Sequence, residues 1–123
     1  MIIFCNDRAA WHAATSAELR SIIDEVRSTS TPIMLFIKHD HGQMLVIGLG
    51  SQESVLTYVE PNGVTFHSVG NTSRIGVLQF MCLDQLDDYL AETAVPEAIA
   101  IAAALDFAVD GTRPQRICWE ADW

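Results

Sequence analysis

Four carboxylates, Asp84, Asp87, Asp88 and Glu92, stand close together in the chain with Tyr89 among them. A pair of carboxyl groups can cleave a glycosidic bond, one protonating the leaving oxygen while the other acts from the opposite side of the sugar. That chemistry needs a cleft and one carboxyl shielded enough from water to stay protonated. The interleaved Leu83, Leu86 and Leu90 instead give the pattern of a solvated polar face with its apolar side turned inward. The other use of such a group is an acidic contact surface for a basic partner. There Tyr89 would supply rigid contact area at small entropic cost.

Other chemistry-bearing residues are sparser. His39 and His41 flank Asp40, but a metal needs three or four converging ligands and residues two apart on a turn supply at most two. Gly48 and Gly50 form a G-x-G without the lysine of a phosphate loop or the third glycine of a dinucleotide fingerprint. Gly48-Leu49-Gly50-Ser51 lacks the order of a nucleophile elbow. Cys82 has Asp84 beside it, the wrong charge for a low-pKa thiolate. The expectation is therefore no catalytic residue, no metal and no cofactor.

These residues need a frame, and the hydrophobic pattern predicts one. Thr15 and Glu18 have capping-box spacing, and Leu19, Ile22, Ile23 and Val26 recur at helical intervals up to the break at 28–32. Residues 1–4 form a short first strand, and a loop with Trp11 and His12 follows it. Runs at 33–38 and 43–49 read as strands joined by His39-Asp40-His41-Gly42, and 54–60 and 64–69 form a second pair around Pro61-Asn62-Gly63. A further strand covers 75–81, and the pattern leaves 83–94 open between a loop and a short helix. Pro96 and Glu97 open an alanine-rich helix that Asp110-Gly111 closes. Its apolar residues, Ala98, Ile101, Ala102, Leu105 and Val109 on one side and Ile99, Ala103 and Phe107 on the next, predict burial on more than one side. After Pro114 the alternation of Ile117 and Trp119 predicts a last strand, with Trp119 in the core and Glu120 on the opposite, exposed face. Trp123 is an aromatic whose place the pattern leaves open. The expected fold is α+β: a single domain, residues 1–123, with an antiparallel sheet of about five or six strands and two main helices packed on it.

Length and composition agree with this frame. The chain has 123 residues, enough for one domain, and 50% of them are hydrophobic, enough for a core without metal or disulfide support. Three cysteines, Cys5, Cys82 and Cys118, are irregularly spaced, so buried free thiols are expected. The apolar runs are too short to span a membrane, and the first residues lack the pattern of a signal peptide, which places the expected site of action in the cytoplasm. A net charge of −9 argues against nucleic acid as a direct partner and would speed encounter with a basic protein.

An ordered set of residues resembles a known family. Tyr58-Val59, a turn at Gly63 and Ser68-Val69-Gly70 come first, followed by a helix ending at Phe107, Asp110-Gly111-Thr112-Arg113-Pro114 and Cys118-Trp119-Glu120. This set, over residues 54–120, is similar to the first-catalogued family of immunity proteins of bacterial polymorphic toxin systems. The resemblance implies a cytoplasmic inhibitor, not an enzyme, that binds a co-encoded toxin domain, often a nucleic-acid deaminase. Tyr58, Gly63, Gly70, Pro114, Trp119 and Glu120 match the family pattern. Most of them, with Gly111 at the end of the helix, are expected to set the fold. The expected toxin contacts are Asp84, Asp87, Asp88, Tyr89, Glu92 and Glu120. Two other readings stay open beside it: a small cytoplasmic hydrolase, and a structural domain that self-associates as a homodimer through an open sheet edge.

Overall fold

A computed structural model describes residues 1–5, 9–29 and 31–122; Ser30 in the first break and Trp123 lie outside the described residues. The chain opens with β1 (Ile2–Phe4) and β2 (Trp11–His12), followed by α1 (Ser16–Arg27). Six strands follow: β3 (Ile33–Lys38), β4 (Met44–Leu49), β5 (Glu53–Ser54), β6 (Leu56–Val59), β7 (Thr65–Val69) and β8 (Val77–Cys82). Then come β9 (Gln85–Leu90), a 3-10 turn at Ala91–Thr93, β10 (Val95–Pro96), α2 (Glu97–Asp110) and β11 (Cys118–Ala121).

The main sheet runs β11-β7-β6-β4-β3-β1-β2, with β8 and β9 attached to it through β3, giving nine strands; β5 and β10 form a separate two-stranded ribbon. The expected α+β class and two helices are present, and the strand number exceeds the five or six expected. The short first strand expected at 1–4 is present as β1, and three of the strands the pattern did not give, β2, β5 and β10, have only two residues each, too few to display an alternating pattern. Nor is the sheet a plain meander. β8 meets β3 in parallel at Ile33 and Met81, where the Met81 N–H donates to the Pro32 carbonyl at 2.8 Å.

Local signals explain the helices. The Thr15 hydroxyl accepts from the Glu18 N–H at 3.1 Å, and the Glu18 carboxylate reaches back to the Ala14 N–H at 3.3 Å. Such a cap is worth about 1 kcal/mol. α1 then buries Leu19, Ile22, Ile23 and Val26. α2 ends at Gly111 in the left-handed region, whose N–H donates to the Phe107 carbonyl at 2.8 Å. Its buried face is Ala100, Ile101, Ala103, Ala104, Phe107 and Ala108, while Ile99 and Val109 are exposed. α2 packs on both α1 and β4, so it is buried on more than one side as its apolar circumference predicts, and the alanines let it lie close to the sheet.

The strands β3 and β4 are apolar on both faces because both faces are covered. Leu35, Ile37, Leu45 and Ile47 face the two helices, with Tyr58 and Phe107 in the same cluster. Met34 and Val46 face the other way, into a second cluster with Val55, Phe80 and Ala94. The β8–β9 hairpin lies over that second face. It is seated through Phe80, whose ring occupies the space that a side chain at Gly48 would need: a Cβ there would come within 2.7 Å of the ring.

Glu97 ties the layers together at the start of α2. Its buried carboxylate accepts from the Gly50 N–H at 2.8 Å and from Arg27 Nε at 3.1 Å.

Candidate functional site

β8 and β9 pair antiparallel, Val77 with Leu90, Gln79 with Asp88 and Met81 with Leu86 on one face, and Leu78 with Tyr89, Phe80 with Asp87 and Cys82 with Gln85 on the other. The second face is the inner one. There Phe80 is fully buried and meets the Tyr89 ring edge-on with centroids 5.9 Å apart. Burial, helped by a hydrogen bond with Cys82, pushes the Tyr89 phenol well above its usual pKa. The outer face carries the rest. Ile75, Val77, Leu83, Leu86 and Leu90 are 43 to 94% exposed, and at the centre Gln79 Nε2 donates to the Asp88 carboxylate at 2.9 Å.

Residues 83–94 are thus neither loop nor helix through most of their length, and Leu83, Leu86 and Leu90 do not turn inward. The two-residue tip, Leu83-Asp84, puts Leu83 at φ +57°, a conformation that bulky residues adopt only under constraint. A strand at 85–90 alternates sides. Once Tyr89 packs on Phe80, Leu86, Asp88 and Leu90 must point out.

The expected contact residues divide between two places. Asp84 and Asp88 are exposed on the hairpin, with Asp87 and Tyr89 half-buried along its inner side. Glu92 lies beyond β9 in the 3-10 turn, and with Glu120 and His67 it lines a separate small pocket of about 60 Å³. Glu120 is exposed, as alternation along β11 predicts, with its carboxylate 3.9 Å from His67 Nε2. Asp122 pairs with the other ring nitrogen of His67.

The C-terminal turn builds a second concave region. The Tyr58 hydroxyl donates to the Gly111 carbonyl at 3.1 Å, and its ring meets Phe107 edge-on at 6.0 Å and Trp119 at 6.3 Å. Burial raises the Tyr58 pKa, and the nearby Glu60 carboxylate adds to it. Trp119 Nε1 donates to the Pro114 carbonyl at 2.7 Å, and the Arg113 guanidinium sits 4.0 Å over the Phe66 ring. An open cleft of about 680 Å³ lies here, lined by Tyr58, Glu60, Arg113, Pro114 and Trp119 among others. Trp119 is only partly buried, packed against the edge of the core, because β11 is the last strand of the sheet. For the same reason Cys118 is exposed; of the three thiols only Cys5 is buried, and Cys82 is intermediate.

Gly63 sits at the β6–β7 turn, its N–H donating to the Glu60 carbonyl at 2.9 Å. Gly70 donates to the Glu92 carbonyl at 2.8 Å, and a Cβ there would lie 2.0 Å from the Ala94 carbonyl oxygen, so no larger residue fits without moving that backbone. His39 packs edge-on against Phe107 at 5.6 Å, and Asp40 accepts from the N-terminal ammonium at 3.3 Å. Among the described residues no three His, Cys, Asp or Glu side chains converge as metal ligands would.

The sequence model of the family described as Immunity protein Imm1 matches residues 7–121. The chain belongs to the Imm1 family of immunity proteins. Comparison with curated proteins gives no match. The Imm1 match covers nearly the whole chain, well beyond the 54–120 that carry the visible resemblance, so β2, α1, β3 and β4 fall within it too, while β1 precedes it. Imm1 membership implies an immunity protein whose partner is a toxin; such families are generally non-enzymatic. Among the described residues no helix is long and apolar enough to cross a membrane. What inspection of the sequence missed is the apolar half of the hairpin's outer face. The available signal was the equal length of two six-residue runs, 77–82 and 85–90, around a two-residue tip.

Proposed function

We propose that this Imm1 chain binds and neutralises a cognate toxin domain that acts on nucleic acid, covering its active site with the outer face of the β8–β9 hairpin. The observation that carries this reading is the make-up of that face: exposed Val77, Leu86 and Leu90 beside Asp84 and Asp88, with no basic residue anywhere in 75–92. A domain that handles nucleic acid needs a positive groove. Carboxylates can occupy such a groove in place of phosphates, while the leucines supply the desolvated contact that holds an interface together. A net charge of −9 would steer the approach. Asp84 and Asp88 form the principal contact in this reading, with Asp87 and Tyr89 behind them on the inner side of the hairpin and Glu92 and Glu120 around His67 as a second contact. A deaminase as the toxin, a basic toxin surface and action in the cytoplasm of the producing cell follow from the family resemblance and belong to the same proposal.

The hydrolase alternative has less to stand on. The 680 Å³ cleft presents one carboxylate, Glu60, where acid–base cleavage uses a pair.

The test is co-expression with the toxin domain encoded beside this gene, followed by sizing of the purified pair. Growth rescue with a one-to-one complex is the expected result. Reversing both Asp87 and Asp88 to lysine should slow association about tenfold at low salt, with the difference shrinking as salt is added. Unchanged association at every salt concentration would remove the hairpin from the interface.

A further inference from the structure

We infer that the free edge of β9 is itself the docking element: an extended segment of the toxin adds to it as a further strand, placing a Lys or Arg opposite Asp88 and apolar side chains opposite Leu86 and Leu90. This rests on the immunity reading and adds to it the mode of binding and the chemistry of the partner segment.

Among the described residues β9 pairs with β8 and with no other strand, so one edge of it is unpaired there. The direction of its backbone groups follows from two bonds at the ends of the hairpin. The Ala91 N–H donates to the Gly76 carbonyl at 3.0 Å, whereas the Met81 N–H points away from β9 to Pro32. Antiparallel ladders alternate between bonded and non-bonded pairs. Gln85, Asp87 and Tyr89 therefore exchange bonds with β8, and Leu86, Asp88 and Leu90 turn their N–H and C=O groups to the free edge. Thr93 Oγ1 donates to the Leu90 carbonyl at 2.7 Å. The N–H groups of Leu86, Asp88 and Leu90 and the carbonyls of Leu86 and Asp88 remain for an added strand. Those same three residues carry the side chains of the outer face, so one short stretch offers both backbone bonds and side-chain contact.

Natural edges are commonly blunted with lysine, proline or a bulge. Residues 85–90 hold no lysine and no proline, and pair without interruption against 77–82. Their guard is charge alone, and it discriminates between occupants. Each antiparallel pairing of β9 with a second copy that engages at least five of its six residues sets Asp87 or Asp88 opposite another of these carboxylates. A parallel in-register pairing stacks both. Like charges directly opposite destabilise a ladder. The edge therefore disfavours a second copy and favours a strand with a basic residue between two apolar ones, at alternate positions.

The deciding experiment is residue-resolved amide exchange by NMR on the full chain, alone and with the purified toxin domain encoded beside this gene. Leu86, Asp88 and Leu90 should show the largest gain in protection, about tenfold or more beyond that of Gln85, Asp87 and Tyr89. The variant Leu86→Pro removes an N–H that β8 does not use and should weaken binding about tenfold, one lost hydrogen bond at the upper end of its range. Asp88→Asn keeps its N–H and should mainly lower the salt dependence of association. A stable complex in which the three amides exchange as fast as before overturns strand addition and leaves immunity standing. An L86P variant that folds and binds as tightly as the parent also overturns it. Protection that rises with concentration in the protein alone assigns the edge to a second copy, against the inference. Absence of both complex and growth rescue refutes the immunity reading on which it rests.

Discussion

The substitution Gly48→Ala tests how the hairpin is held. A Cβ at Gly48 would lie 2.7, 2.8 and 3.0 Å from three atoms of the Phe80 ring. Carbon atoms pack comfortably at about 3.5–4.0 Å, so the ring would have to retreat by roughly 0.8 Å. It has nowhere to go. Phe80 is fully buried, Tyr89 stands edge-on against it, and its own strand is tied to Pro32 through the Met81 N–H. Overpacking of this kind costs about 1–3 kcal/mol, against which alanine recovers about 0.5–1 kcal/mol of glycine's entropic penalty in a strand. The expected net loss is about 1–2 kcal/mol. Phe80→Leu alone should cost about 1–1.5 kcal/mol, and in the double variant the shorter side chain relieves the clash. Urea titrations followed by circular dichroism on the four proteins would give the coupling, expected at about 1 kcal/mol with unchanged m-values. If the two losses add to within about 0.5 kcal/mol, Phe80 does not sit over Gly48 and the hairpin is not seated as described. A confirmed coupling carries a functional corollary: Gly48→Ala should weaken toxin binding although it touches no outer-face residue.

Glu97→Ala should be among the more damaging polar substitutions. It strips the partner from the Gly50 N–H and from Arg27, at about 2–3 kcal/mol; the 41% exposure of Arg27 keeps the loss below that of a fully buried pair. That corresponds to a Tm about 6–12 °C lower in thermal unfolding, and an unmoved Tm would contradict the tie. Tyr58 and Tyr89, the protein's two tyrosines, both have pKa values raised mainly by burial. Their neutral forms are favoured in the fold, so their contribution is complete below the unfolded value of about 10 and is lost as pH climbs past it towards the folded values. Phenolate absorbance should therefore appear together with alkaline unfolding; ionisation near pH 10 with circular dichroism intact would refute the burial. Tyr58→Phe removes the bond to the Gly111 carbonyl and should cost about 1 kcal/mol in urea.

Both helices were legible because their signals are local. The Thr15–Glu18 cap, the i, i+3, i+4 spacing of Leu19, Ile22, Ile23 and Val26, and the Pro96 and Gly111 boundaries each depend on residues within a turn or two. The β3–β4 and β6–β7 pairs were legible for a similar reason, since turn residues punctuate them. β9 was not. Aspartate is depleted in strands, and a Leu-Asp tip carries none of the Asn-Gly chemistry of a two-residue hairpin. Its pairing is paid for by Phe80 and Tyr89 packing on a sheet face whose residues lie tens of positions earlier in the chain.

The candidate contact was half legible. The carboxylates stood out as residues, but the leucines beside them were assigned to the wrong side, because a one-residue change of phase moves every side chain of a strand to the opposite face. Trp119 and Cys118 show the same limit: alternation separates the two faces of β11 but does not say that β11 closes one end of the sheet.

The sequence by itself determined the α+β class, both helices, the central strands and, through its ordered motifs, membership of the Imm1 family. Those properties rest on short-range spacing, which the chain carries wherever it folds. Tertiary structure alone decided that 85–90 is a strand, that its leucines face out with Asp88 between them, that Glu92 sits apart beside Glu120, and that one edge of β9 is unpaired among the described residues. Each of these depends on which distant surfaces are already occupied. Once Phe80 fills the space over Gly48 and Tyr89 closes against it, Val77, Leu86 and Leu90 on the other face of the hairpin are left exposed.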